Sequence, residues 1–68
     1  MIQVFVNNRE QQIEAASSLM DLLKILHREE DKRLAVAINN KVITRLEWGN
    51  TVLQNNDKIV LIHAVYGG

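Results

Sequence analysis

The sequence predicts an α+β domain in which a mixed sheet of about five short strands packs one face against a single helix. Three observations lead there. Apolar and polar residues alternate over Ile2-Gln3-Val4-Phe5-Val6, the period-two pattern of a strand with one face buried. Leu19, Leu22, Leu23 and Leu26 fall at the i, i+3, i+4, i+7 spacing that gathers four leucines on one side of a helix. Beyond that helix, two further apolar runs, Leu34 to Ile38 and Lys58 to Val65, are bounded by asparagine-rich turns. With 68 residues the chain makes one domain, expected over residues 1–66 with a flexible diglycine tail at 67–68.

Taken in order, Ile2 to Val6 is the first strand and Asn7-Asn8 the turn after it, because asparagine tolerates the positive φ that two-residue hairpins require. Arg9 to Glu14 returns as a polar, edge-like strand anchored by Ile13. Ser18 is placed to cap the helix and Asp21 to sit in its first turn, at the positive end of the dipole. The helix is expected from about Leu19 to about Glu29. Leu34 to Ile38 forms a strand closed by Asn39-Asn40-Lys41, and Val42-Ile43 a brief one after it. Thr44 to Asn50, which holds Trp48, reads as a turn with a single helical turn. Leu53 and the turn Asn55-Asn56-Asp57 lead into the last strand, giving the order β-β-α-β-β-β.

One helix covers one side of a sheet. If Ile2, Val4, Val6, Ile59, Leu61 and Val65 point at it, then Phe5, Val60, Ile62 and Ala64 point away. The open face with Phe5, Val60 and Ile62 is then either a docking surface for a partner or is covered by a loop or by the Trp48 segment.

Composition narrows the chemistry. Lysine plus arginine and aspartate plus glutamate number eight each, so no net field attracts a polyanion and no nucleic-acid partner is expected. Cysteine is absent, which removes disulfides, thiolate metal sites and thiol nucleophiles from this chain's own repertoire. No signal-peptide pattern and no apolar run near the ~18 residues of a membrane span is present, so no membrane partner is expected and the cytoplasm is the expected compartment. His27, late in the expected helix, and His63, in the last strand, lack partner ligands at metal spacing and read as structural. Ser17 and Ser18 read as caps, Trp48 as a core lid, and the mixed-sign run Glu29 to Arg33 as a solvated loop. Arg45 either pairs with an acidic neighbour or contacts a partner. No nucleophile-base set, metal set or phosphate-cradling loop is found, so an enzyme is not expected.

The remaining feature is the ending, Tyr66-Gly67-Gly68. A main-chain carboxylate on a stem without Cβ atoms fits a slot too narrow for any side chain, so the end of the polymer is the candidate reactive group.

Together these residues resemble the small ubiquitin-like sulfur carriers, most closely those of thiamine biosynthesis. The likeness covers the first strand, Leu22 and Leu23, the Leu34 to Asn39 strand, the segment Ile38-Asn39-Asn40-Lys41-Val42-Ile43-Thr44-Arg45-Leu46-Glu47-Trp48, and the diglycine. Thr44 stands where the family commonly has proline, and Asn56-Asp57 where it has glycine-aspartate. The resemblance implies a β-grasp fold and a protein cosubstrate. Its Gly68 would be adenylated by a ubiquitin-activating-type adenylyltransferase, which consumes ATP, and then converted to a thiocarboxylate. Sulfur would come indirectly from a cysteine desulfurase and pass to thiazole synthase, with no cofactor bound to the carrier. Gly67, Tyr66 and Val65 would be the residues recognised in the tail. The related alternatives are a carrier for molybdopterin synthesis and a ubiquitin-like modifier or interaction module.

Overall fold

The computed structural model describes residues 1–63. Asn7 and Asn8 take φ values of 50° and 70°, the pair of left-handed residues that a tight hairpin needs. They join β1 (Ile2–Val6) to β2 (Arg9–Ile13), antiparallel, with Val6 opposite Arg9 and Ile2 opposite Ile13. Asn39 and Asn40, at 50° and 71°, repeat the device between β3 (Leu34–Ile38) and β4 (Lys41–Ile43). The last strand, β5 (Lys58–His63), enters between the two hairpins, parallel to β1 and antiparallel to β3. The sheet order is β2-β1-β5-β3-β4. Ala64 and Val65, expected to continue the strand, lie outside the described residues.

Helix α1 (Leu19–Ile25) starts as its sequence dictates. The Asp21 N–H donates to the Ser18 hydroxyl at 3.1 Å and the Ser18 N–H donates to the Asp21 carboxylate at 3.0 Å, a reciprocal capping box. The Ser18 N–H, followed by the hydroxyl bond, holds the Asp21 carboxyl below the usual carboxylate range.

The helix ends earlier than the expected Glu29. Leu26 is its C-cap and His27 turns left-handed at φ 59°. The Arg28 N–H then bonds back to the Leu23 carbonyl at 2.8 Å and the His27 N–H to Lys24 at 3.1 Å, the two bonds of a Schellman ending. His27 is therefore not a late helical residue; it lies just past the C-cap, in the left-handed position that glycine usually fills.

Leu19, Leu22 and Leu23 are fully buried, and Leu26 packs at the margin of the same core. Each buried leucine contributes roughly 1.5–3 kcal/mol. They share one core with Val4, Ile13, Val36, Ile38 and Ile59 of the sheet, with Leu53 from the segment before β5, and with Trp48, which is 1% exposed. The indole N–H donates to the Ile43 carbonyl at 3.1 Å, so burial leaves its polar atom satisfied. Trp48 caps the short 3-10 turn Arg45–Glu47, in line with its expected role as a core lid.

Candidate functional site

The pairing register sorts the sheet residues by face. Phe5 lies opposite Lys58 on one side and Glu10 on the other, Val60 opposite Ala37, Ala37 opposite Val42, and Ile62 opposite Ala35. Directly paired residues share a face, so Phe5, Val60 and Ile62 stand together on the side away from α1, where they were expected. Phe5 is half-buried, while Val60 and Ile62 are 42% and 53% exposed. The Trp48 segment does not cover them: its ring is in the core with Leu22 and Leu23, on the helix side.

Sequence reasoning missed three members of this face. Ala35, Ala37 and Val42 extend the apolar surface across β3 to the edge strand, where Val42 is 69% exposed. The signal was available in part. Fixing the Asn39-Asn40 turn as a two-residue hairpin places Ala37 opposite Val42, but the neighbour of β3 on its other side cannot be read from local sequence.

At the end of β5 three contacts hold the strand that leads into residues 64–68. The Asn7 carboxamide brackets Leu61, accepting its N–H at 2.9 Å and donating to its carbonyl at 3.5 Å, so a side chain continues the parallel ladder where β1 stops. His63 lies opposite Leu34 in the ladder with β3. Its Nε2 is 3.5 Å from the Asp31 carboxylate. The Arg33 N–H donates to that carboxylate at 3.0 Å and the Arg28 guanidinium at 3.2 Å. The Arg33 N–H above all holds the Asp31 carboxyl below its ordinary range; burial opposes it, and the Arg28 hydrogen bond and the charges of His63 and Arg28 add to the lowering. The Glu29 to Arg33 run is a loop, as expected, with Glu30, Lys32 and Arg33 exposed, and it is pinned through Asp31, which like Glu29 is half-buried. Val65, Tyr66, Gly67 and Gly68, the expected tail residues, lie outside the described residues.

Arg45 makes no ion pair with an acidic side chain among the described residues. Its guanidinium donates to the main-chain carbonyls of Glu29, at 3.0 Å, and of Asp31, and lies 4.4 Å from the centre of the Trp48 ring. It ties the connection after α1 to the turn after β4, with a cation over the indole face. Among the described residues no three histidine, cysteine or acidic side chains gather as a metal site.

The ThiS family model matches residues 2–68. The chain belongs to the ThiS family. Among its relatives in that family, the sulfur carrier protein ThiS of Escherichia coli (strain K12) is 28% identical over 67 residues, covering 98% of this chain and all of that protein. The crystal structure of a thiamine biosynthesis protein (ThiS) from Geobacter metallireducens superposes with a TM-score of 0.85 at 19% identity, covering 98% of this chain and all of the other. A solution structure of a thiamine biosynthesis protein from Geobacter metallireducens gives a TM-score of 0.73 at 20% identity, over 98% of this chain and 88% of that one. At such identities the two structures speak to the fold alone. The fold is the β-grasp expected of a ThiS chain, a five-stranded mixed sheet wrapped on one helix.

Proposed function

We propose that this ThiS-family chain is a sulfur carrier for thiamine biosynthesis, a protein cosubstrate whose Gly68 is the reacting residue. The observation that carries the reading is that the family match runs to residue 68 and so takes in Tyr66-Gly67-Gly68. The chemistry follows from that terminus. A main-chain carboxyl with a pKa near about 3.5 is ionised at neutral pH. One of its oxygens attacks the α-phosphate of ATP on a ubiquitin-activating-type adenylyltransferase, pyrophosphate leaves, and the acyl carbon gains AMP as a good leaving group. Sulfur delivered as a persulfide, with a cysteine desulfurase as its source, displaces AMP. A thiol then cleaves the acyl disulfide and leaves a thiocarboxylate. That sulfur passes to thiazole synthase for the thiazole ring.

The globule gives the tail its address. Phe5, Val60 and Ile62, together with Ala35, Ala37 and Val42, offer the activating partner an apolar face that spans β1, β5, β3 and β4 and so includes the strand leading to residues 64–68. Docking there must offset the roughly 1–2 kcal/mol per residue that ordering the tail costs. In this reading Val65, Tyr66 and Gly67 are the tail residues the partner recognises, and a glycine at 67, having no Cβ, suits a narrow active-site slot. The cytoplasm is the compartment in which these partners would meet the carrier.

The test is the intact mass of the chain after incubation with ATP, its adenylating enzyme and a sulfur donor. The reading expects a gain equal to the oxygen-to-sulfur difference, mapped to the C-terminal fragment. An unchanged mass, with an enzyme proven active on another carrier, overturns it.

A further inference from the structure

The early end of α1 leaves one end of the sheet's inner face uncovered. There Val6, Asn7, Arg9, Leu26, Arg28 and Leu61 line a groove of about 450 Å³. We infer that this groove receives an acidic side chain of the activating partner and so orients the carrier at the root of its tail. The inference rests on the proposed reading that such a partner adenylates Gly68.

Charge is the first argument. The lining holds two guanidinium groups and no carboxylate, in a chain whose formal net charge is zero. Glu10 follows Arg9 in sequence but pairs with Phe5 and belongs to the opposite face, while Arg9 pairs with Val6 and shares the inner one. Arg9 makes no salt bridge and no side-chain hydrogen bond among the described residues. Arg28 spends one Nη2 bond on Asp31 at 3.2 Å, and a guanidinium carries five N–H donors. Val6, Leu26 and Leu61 supply apolar walls, next to which a guanidinium–carboxylate pair is stronger than in open water.

Place is the second. Leu61 is one wall, and the Asn7 side chain that brackets Leu61 is another. A carboxylate seated here would grip the carrier beside Leu61, two residues before the last described residue of β5. Five residues drawn out straight span up to about 17 Å. An active site that extends the tail therefore keeps the phosphates of ATP away from its root, which leaves a protein carboxylate as the anion for the groove. The apolar open face and this groove lie on opposite sides of the sheet, so together they would fix a rotation that one face alone leaves free.

The experiment measures pyrophosphate release by the adenylating enzyme against carrier concentration, at several salt concentrations, for wild type, Arg9→Glu, Arg9→Gln and Arg9→Lys. Circular dichroism confirms that each variant is folded, which is expected because the Arg9 side chain holds nothing in the fold. Arg9→Glu is expected to raise KM about tenfold with kcat unchanged and to flatten the salt dependence of kcat/KM. Arg9→Gln should fall between, and Arg9→Lys should keep most of the wild-type behaviour. An unchanged KM and salt slope in Arg9→Glu, with wild type turning over, overturns the groove alone. A lower KM in Arg9→Glu also overturns it, in favour of the chain's own terminal carboxylate as occupant. No turnover of wild type overturns the functional reading, and this inference with it.

Discussion

Replacing His27 with glycine should stabilise the domain, and the size of the gain follows from the backbone. His27 sits at φ 59°, where a residue with a Cβ crowds its own carbonyl at a cost of roughly 1–2 kcal/mol. Its imidazole is exposed and makes no hydrogen bond or ion pair among the described residues, so its removal sacrifices no contact. Glycine relieves the strain but gives back about 0.5–1 kcal/mol through the greater freedom of the unfolded chain. The net is a gain of about 0.5–1 kcal/mol. In a domain of this size about 1 kcal/mol moves Tm by roughly 4–8 °C, so thermal melts and urea titrations followed by circular dichroism resolve it. His27→Ala is the control: alanine suffers the same strain and should leave stability within about 0.5 kcal/mol of wild type. Ala16, exposed at φ 70°, offers an independent repeat, and Ala16→Gly should gain a similar amount. A loss of stability in both glycine variants, or an equal gain in His27→Ala, would refute the strain argument.

Leu23→Ala should cost about 2–5 kcal/mol, because the side chain is fully buried against both the sheet and Trp48's cluster, and urea unfolding should show a large fall in midpoint. The capping box makes stability depend on acid. The folded carboxyl of Asp21 titrates below its unfolded value, so its contribution is complete above the unfolded pKa and is lost as pH falls through the folded one. Asp21→Asn should therefore lower stability at neutral pH and flatten the decline seen in melts taken below about pH 4. On the open face, Val60→Glu with Ile62→Glu should leave the melting temperature nearly unchanged, since both side chains are exposed, while raising KM for the adenylating enzyme by an order of magnitude or more.

What the sequence told and withheld divides along physical lines. Both hairpins were legible because Asn7-Asn8 and Asn39-Asn40 carry their backbone preference in their own side chains. The start of α1 was equally local, with Ser18 and Asp21 three residues apart, and the leucine stripe needed only helical periodicity. The end of α1 was not, because histidine carries no left-handed preference strong enough to mark a C-cap. Arg45 was opaque for a different reason: the carbonyls it binds lie 14 and 16 residues away, and contacts of that range leave no trace in spacing. For the candidate site, strict alternation along β1 and β5 was enough to place Phe5, Val60 and Ile62 on one face. Ala35 and Ala37 joined them only once β3 was seen beside β5, and the Arg9–Arg28 groove required the shortened helix.

The parallel pairing of β1 with β5 carries a consequence for how the carrier matures. Each hairpin can form on its own side of the chain, yet nothing in the sheet joins them until β5 inserts between β1 and β3. Of the described elements β5 comes last in the chain, so the two hairpins remain separate pieces of sheet until that strand has been made. The strand that completes the sheet is also the one that leads in sequence to residues 64–68. Loss of β5 pairing would therefore divide the sheet in two, however well each hairpin forms by itself.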